Sequence, residues 1–403
     1  MSDRNRSRVG LMVGICLALA VGFWLRSGPG FGSASHRRQA SLARRALARH
    51  SVAIRPAAVA EARAAAIRET MASLRDECAK AAGGDWDRWS AQLAPMRSGL
   101  AARVQAAQPF NPKATGSFEG RSIVLAGRGD FPLFEPAPDV YLMHVLRPAS
   151  LDPLRESRPV TAAARWLERK GIDLIFVPVP KMTESHPEPF VEPCPSDRII
   201  APHVRRAIFE LLEDEVEVVD VLPAFLRERD PGADPLYQPA DPHWAPRGQA
   251  IAARMVADRL SRYEFVARAK ESPRFCEWAT APYLKVEDGT AFPALNPEQQ
   301  RLARAAQPKT QPSANRCIRP IHDATSPVVC IGDSYNAGFL ELLAREINLP
   351  VHNLTGGGNT SHAFKGMVRD PSLLEHARVV VWLLCDSSLK GPWPMPPSVR
   401  NGQ

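Results

Sequence analysis

Two short segments of this 403-residue chain carry side chains that could do nucleophilic chemistry together. The first is Val328-Val329-Cys330-Ile331-Gly332-Asp333-Ser334-Tyr335. An apolar run that ends in glycine and leads into a helical pattern puts the Ser334 hydroxyl just past a strand, at a sheet edge. Amides at the start of the following helix could then stabilise an oxyanion. Gly-Asp-Ser alone arises by chance in about one chain in ten of this size at average residue frequencies, so the flanking strand and helix carry the signal. An ordinary strand-to-helix turn with Ser334 as N-cap is the plain alternative. The second segment is Asp241-Pro242-His243-Trp244-Ala245-Pro246-Arg247-Gly248. A serine nucleophile needs a base, and the base needs an orienting carboxylate. Asp241, two residues before His243, can reach the imidazole Nδ1 from the same loop and leave Nε2 for Ser334. Asp-x-His is common, and a neutral loop histidine is the competing reading. A third segment, Thr355-Gly356-Gly357-Gly358-Asn359, exposes backbone N–H groups. It suits a second oxyanion donor at Gly357 and Gly358, or simply a flexible turn. No Gly-Lys-Ser/Thr follows it, so it is not a phosphate loop.

The elements that must position these residues read as an α/β domain. Short apolar runs at residues 122–126, 172–178, 216–221, 327–331, 351–354 and 378–384 alternate with helical stretches at 161–170, 202–213, 246–260 and 337–347. Strands of this length separated by helices imply a mostly parallel sheet covered by helices on both faces. Reactive groups in such a sheet lie at the carboxyl ends of its strands, where Ser334 and the glycine loop fall. Residues 265–325 interrupt the series with a loop-rich insert. Residues 37–108, rich in Ala, Arg, Leu and Glu, predict two or three helices, one running from about Pro56 to Ala82. They read as a helical spacer packed on the main domain. The tail, residues 391–403, has four prolines and is expected to be extended. Trp166 and Trp382 read as core residues.

Residues 9–25 are uncharged and mostly apolar between Arg8 and Arg26. Seventeen residues are about the minimum for a transmembrane helix. A retained single-pass anchor is the preferred reading; a cleaved signal with Gly32-Ser33-Ala34 as a weak site is the alternative. The bulk of the chain is placed outside the cytoplasm, because an apolar segment behind a short basic tail acts as an export signal. Six cysteines beyond Cys16 allow 15 pairings, and Cys276–Cys317, which flank one proline-rich stretch within residues 265–325, is the preferred bridge. Cys330 and Cys385 lie in core strands as buried thiols. The ten histidines show no metal-ligand spacing, so no metal is expected.

The formal net charge of +8 suggests a nucleic acid, acidic polymer or membrane surface as partner. Its position changes that reading. Residues 1–60 hold ten arginines and one acid, Asp3, for a net +9; the other 343 residues hold 41 basic and 42 acidic groups, a net of −1. The domain that carries Ser334 is therefore near neutral, and no nucleic-acid partner is expected. The excess sits on Arg37, Arg38, Arg44, Arg45 and Arg49, beside the apolar span. A role against anionic headgroups or a membrane partner follows.

Together these segments resemble the SGNH-hydrolase-like polysaccharide O-acetyltransferases of the alginate O-acetyltransferase type, AlgJ and AlgX. The hallmark is D-x-H-[WL]-x-P-x-G well upstream of G-[DT]-S-[FY]; this chain has DPHWAPRG at 241–248 and GDSY at 332–335. VPVPKM at 177–182, VDVLPAF at 219–225 and the 356–358 loop add to the likeness, and the turn near 127–134 resembles the family's G-x-x-G-W-L-F without its Trp. The Asp/His pair precedes the serine, the reverse of the order in ordinary SGNH hydrolases, and this is the most specific part of the match. The resemblance spans about residues 118–390, inside an organisation of a tail at 1–8, a span at 9–25, a basic and helical segment at 26–117 and the tail at 391–403. Ala245 stands where the family has Ser or Thr before Pro246, a change worth about 1 kcal/mol of helix capping. Asn336 replaces a small residue.

What the resemblance implies is acyl transfer without a cofactor. Ser334 would be the nucleophile, His243 the base and Asp241 its orienting carboxylate. Gly357, Gly358, Tyr335 and Asn336 would line the oxyanion and substrate site. Lys181 is either a substrate contact or a solvated strand end; Trp244 is either a sugar platform or a packing residue. The implied acceptor is an exported or cell-surface polysaccharide. The implied acetyl donor is a membrane-bound O-acyltransferase partner, and the location is the bacterial inner membrane with the catalytic domain in the periplasm. The sequence leaves two alternatives open: a carbohydrate esterase with the same triad, and a non-catalytic anchored scaffold in polysaccharide secretion.

Overall fold

A computed structural model describes residues 56–106, 123–126, 143–146, 158–229, 235–238, 241–281, 285–289, 292–295, 297, 300–301, 304, 314–317, 321–355, 360–385 and 396–400. The strands are β1 (Ile123–Ala126), β2 (Met143–Leu146), β3 (Asp173–Val179), β4 (Glu217–Val218), β5 (Trp278–Ala281), β6 (Ala314–Cys317), β7 (Val328–Gly332), β8 (His352–Asn353) and β9 (Val379–Cys385). The helices preceding the sheet are α1 (Ala57–Ala82), α2 (Trp86–Gln92), α3 (Ala94–Ala106) and α4 (Arg158–Glu168). Those within and after it are α5 (Met182–Ser185), α6 (Pro202–Glu213), α7 (Leu222–Glu228), α8 (Pro246–Leu260), α9 (Glu264–Glu271), α10 (Phe339–Ile347), α11 (Thr360–Arg369) and α12 (Pro397–Arg400).

Five strands form one parallel sheet in the order β4-β3-β9-β7-β8. Strands β3, β7 and β9 are buried at every residue, which is why their sequences are continuous apolar runs rather than alternating ones. Successive residues still point to opposite faces. Ile175, Val177, Cys330, Val381 and Leu383 pack with Ile251 and Val256 of α8 and with Phe339 and Leu343 of α10. Leu174, Phe176, Val329, Ile331, Val380 and Trp382 pack on the other face with Leu167 of α4, Ile208 of α6 and Phe364 of α11. Trp382 and Trp166 are both in this second core. The last strand, β9, sits between β3 and β7. It therefore joins the part of the chain that precedes residue 230 to the part that follows residue 320.

The helical segment before the sheet shares this core. Ile67 and Leu74 of α1 join the second cluster and Val59 joins the first. Arg205 of α6, 1% exposed, donates in two forks, to Glu77 of α1 at 2.9 and 2.9 Å and to Asp220 at 2.7 and 2.6 Å.

Several expectations need correction. The run at 122–126 forms β1, but β1 pairs antiparallel with β2 in a separate ribbon. The run at 216–221 yields only the two-residue β4, because Asp220 turns to Arg205 and α7 opens with Pro223 in its first turn. The insert at 265–325 holds helix α9 and an antiparallel β5–β6 pair, in which Trp278 lies opposite Cys317. Cys276 and Cys317 are disulfide-bonded with Cα atoms 5.9 Å apart, as their flanking positions predict; Cys330 and Cys385 are buried free thiols. The proline-rich tail contains the one-turn helix α12, whose Val399 is fully buried in the second cluster. Among the described residues no helix is long and apolar enough to cross a membrane. The span at 9–25, the arginines at 37–49, the turn at 127–134 and the glycines at 356–358 all lie outside the described residues.

Candidate active site

The serine turn starts where β7 runs against β9. A Cβ on Gly332 would overlap Leu383 O and lie 2.5 Å from Asn336 Nδ2, so only glycine fits there. Asp333 follows, nearly buried, and both carboxylate oxygens are used: Oδ1 accepts from Tyr335 N at 3.0 Å, Oδ2 from Cys385 N at 2.9 Å. One side chain thus caps the turn and ties it to the end of β9. Residues Ser334–Asn336 form a single 3-10 turn, and α10 begins only at Phe339. Ser334 therefore does not open an α-helix as the sequence suggests. It stands exposed in a separate turn, and Asp333 is the cap.

The histidine lies on a small antiparallel loop. Tyr237 bridges Trp244, Gln238 N donates to His243 O at 3.0 Å, and Ala245 N donates to Leu236 O at 2.8 Å. Asp241 is 5% exposed. Its Oδ1 accepts from His243 N at 2.9 Å and faces His243 Nδ1 at 2.5 Å. A carboxylate only accepts, so Nδ1 carries the hydrogen and Nε2 of the neutral ring is the acceptor. Nε2 lies 2.8 Å from Ser334 Oγ. Asp241, His243 and Ser334 thus form one continuous hydrogen-bonded chain ending on an exposed hydroxyl at the carboxyl edge of β7.

Tyr335 and Trp244 lock the two loops to each other. Tyr335 Oη donates to Pro242 O at 2.6 Å, and its ring centre lies 4.8 Å from that of His243. Burial pushes its phenol pKa well above the usual value, with nearby Cys385, Tyr237 and Asp333 adding to the shift; it stays a neutral donor. Trp244 Nε1 donates to Tyr335 O at 2.9 Å, and the indole stacks on Phe339 at 5.7 Å. Trp244 is fully buried, so it has no face to offer a sugar and its packing role stands. Lys181 follows β3 and is buried rather than solvated; its Nζ lies 3.5 Å from Glu184 Oε2. Tyr237 Oη donates to Pro180 O at 2.5 Å, linking that segment to the histidine loop. Asn336 is turned inward, and its Nδ2 donates to Thr355 Oγ1 at 2.6 Å, the residue just before the glycine loop. Among the described residues no group of three His, Cys, Asp or Glu side chains is placed to hold a metal ion.

Sequence reasoning passed over the cap Asp333 and two buried glutamines, Gln238 and Gln249. The Asp in Gly-Asp-Ser was a usable signal, since Asp caps turns through its own side chain. The glutamines carry none, because they donate to backbone carbonyls, Trp244 O for both and the distant Ala337 O for Gln249, and a carbonyl acceptor leaves no mark in residue type.

A five-stranded parallel sheet covered by helices on both faces, with the hydroxyl, imidazole and carboxylate at its carboxyl edge, has the architecture of an SGNH-like α/β protein. The profile of the SGNH hydrolase-like domain of the acetyltransferase AlgX matches residues 144–385, more than half of the chain, and the chain belongs to this alginate O-acetyltransferase type family. Solved structures similar to it include the O-acetyltransferase domain of Pseudomonas putida AlgJ. That match has 19% identity, covers 70% of this chain and 100% of that one, and has a TM-score of 0.48. Pseudomonas aeruginosa AlgX matches at 16% identity over 71% of this chain and 68% of that one, with a TM-score of 0.48. Bacillus cereus PatB1 with a sulfonyl adduct matches at 10% identity over 63% and 96%, with a TM-score of 0.37. Comparison with curated proteins gives no match.

Proposed function

We propose that the protein is an O-acetyltransferase that moves an acetyl group through Ser334 to hydroxyls of an exported or cell-surface polysaccharide. The observation that carries this reading is the Asp241–His243–Ser334 chain, with contacts of 2.5 and 2.8 Å and the hydroxyl exposed. Membership of an acetyltransferase family supports it. In the first half-reaction His243 Nε2 takes the Ser334 proton as Oγ attacks the acetyl carbonyl of the donor. Asp241 holds the ring in the tautomer that leaves Nε2 free and stabilises the imidazolium that forms, without itself taking the proton. Collapse of the tetrahedral intermediate leaves acetyl-Ser334, and the imidazolium returns the proton to the leaving group. In the second half-reaction a sugar hydroxyl loses its proton to His243 and attacks the ester; the C–Oγ bond breaks, and the imidazolium gives that proton to Ser334 Oγ, which restores the serine and the neutral base. The Ser334 amide and the Gly357–Gly358 amides are the oxyanion donors of this scheme. The acetyl donor is a membrane-bound O-acyltransferase. The chain is held at the bacterial inner membrane by residues 9–25, with the arginines at 37–49 against anionic headgroups or that partner, and with the catalytic domain in the periplasm.

The test is Ser334→Ala in the native host, where acetylation of the polymer should be lost; unchanged acetylation rejects the proposal. A second assay uses the purified chain and an activated acetyl ester, with and without an oligosaccharide. Transfer that depends on the acceptor is expected. Hydrolysis indifferent to it would make the protein an esterase with the same triad.

A further inference from the structure

His243 and Ser334 are 91 residues apart in sequence, yet their side chains must stay within hydrogen-bond distance. Tyr335 and Trp244 cross-link the two loops from within. A third connection comes from outside both. Gln249, near the start of α8 and 7% exposed, points its Nε2 at Trp244 O (3.3 Å) and at Ala337 O (3.2 Å). Both partners are carbonyls. The amide orientation is therefore fixed by chemistry, since a flipped group would set its oxygen against two other oxygens. One carboxamide thus holds the residue after the base and a residue three past the nucleophile. Gly338 makes room for it: its φ is 77°, and a Cβ there would fall 2.5 Å from Gln249 Oε1. Gln238 Nε2 also donates to Trp244 O, at 3.2 Å, so the base side of the link is doubly held.

We propose that Gln249 is a positioning residue that sets the Ser334–His243 separation by holding Trp244 O and Ala337 O at once, with Gly338 as the notch that admits it. The inference rests on the reading that His243 is the base for Ser334. Misalignment by about one ångström costs up to about 100-fold in rate, so a residue of this kind acts on turnover rather than on substrate affinity.

The experiment is Gln249→Met, nearly isosteric, in the full chain with an activated acetyl ester as substrate. The expected result is a fall in kcat of at least about tenfold, with KM changed by less than about twofold. Labelling of Ser334 by phenylmethylsulfonyl fluoride should slow in parallel. Gln249→Glu gives the readout that a merely structural amide would not move. Its carboxylate repels both carbonyls, whereas the protonated acid can donate to one of them. Its rate relative to wild type should therefore recover as the pH falls through the carboxyl pKa, which burial raises. Should Gln249→Met fail to fold, Gln249→Glu carries the test through the pH dependence of its rate relative to wild type. A folded Gln249→Met protein with wild-type kcat overturns the proposal, as does a Gln249→Glu ratio that is flat with pH. Turnover that survives Ser334→Ala would instead overturn the acyl-transfer reading itself.

Discussion

Asp241→Asn separates the two things this carboxylate does. Its Oδ1 accepts from His243 N at 2.9 Å and from His243 Nδ1 at 2.5 Å. In the asparagine variant an NH2 group at that place would face two donors, so the carboxamide must keep its oxygen there. The imidazole tautomer is then retained and only the charge is lost. The charge stabilises the imidazolium of the transition state. With charge centres about 4 Å apart, an effective dielectric of about 20 gives about 4 kcal/mol, and one of about 40 gives about 2 kcal/mol. The higher dielectric suits a His243 side chain that is 24% exposed. Two to four kcal/mol is a loss of about 30-fold to about 1000-fold in kcat. A wrong tautomer costs more, about 10,000-fold where an asparagine substitution produces one in a serine protease. The assay is kcat and KM of the purified variant with an activated acetyl ester from about pH 5 to about pH 9, across the histidine range. A loss near 10,000-fold would show that the amide has flipped and that the backbone contact does not govern it. A loss below about threefold would show that Asp241 does not support the base. Either result refutes the reasoning.

Arg205→Met leaves the carboxylates of Glu77 and Asp220 facing each other without their shared cation. Stability at neutral pH should fall by about 3–5 kcal/mol in a urea titration, while kcat of the folded protein stays the same. Burial already pushes the Glu77 carboxyl upward despite Arg205, so the deficit should shrink in acid as this group takes up a proton. An equal deficit at about pH 4 and about pH 7 would contradict the pairing argument. His352, 3% exposed in β8, has its pKa lowered first by burial and then by the charge of His322; Asp323 pulls weakly the other way. The folded protein therefore binds fewer protons here than the unfolded chain between that lowered value and about 6.5. Its contribution to stability is complete above about 6.5 and is lost as the pH falls below that. His352→Gln should flatten the decline in urea midpoint on acidification, and an unchanged slope would show that the group does not titrate with unfolding.

The sheet was legible because burial on two faces leaves an unmistakable trace. Asp173–Val179 and Val379–Cys385 are apolar along almost their whole length, and α6 and α8 begin at prolines and end where the sequence pattern ends. Edges were less legible. Strand β4 has only two residues, although the apolar pattern continues to Val221, because the chain there is governed by Asp220 reaching Arg205. Similarly, β1 and β2 have strand composition but pair only with each other. Which strands lie side by side is a property of pairing and not of composition.

The site divides in the same way. Asp241 and His243 are two residues apart, and their contact could be inferred from loop geometry alone. The meeting of His243 with Ser334 could be suggested by the needs of a nucleophile and by resemblance, but not by local spacing, since it needs the whole sheet. Strand β9, last in sequence, lies between β3 and β7, and its Cys385 amide is what Asp333 grips beside the nucleophile. The histidine loop is fastened in turn through Trp244, Pro242 and Gln249 to residues near Ser334. The sequence leaves Trp244 open between a sugar platform and a packing residue, and the resemblance places Tyr335 in the substrate site. In the fold their polar atoms are already committed to the opposite loop, and the alignment of base and nucleophile depends on them. Residues that hold two loops together leave no periodicity and no local spacing, so a linear pattern can name the reacting groups but not the ones that keep them within 2.8 Å.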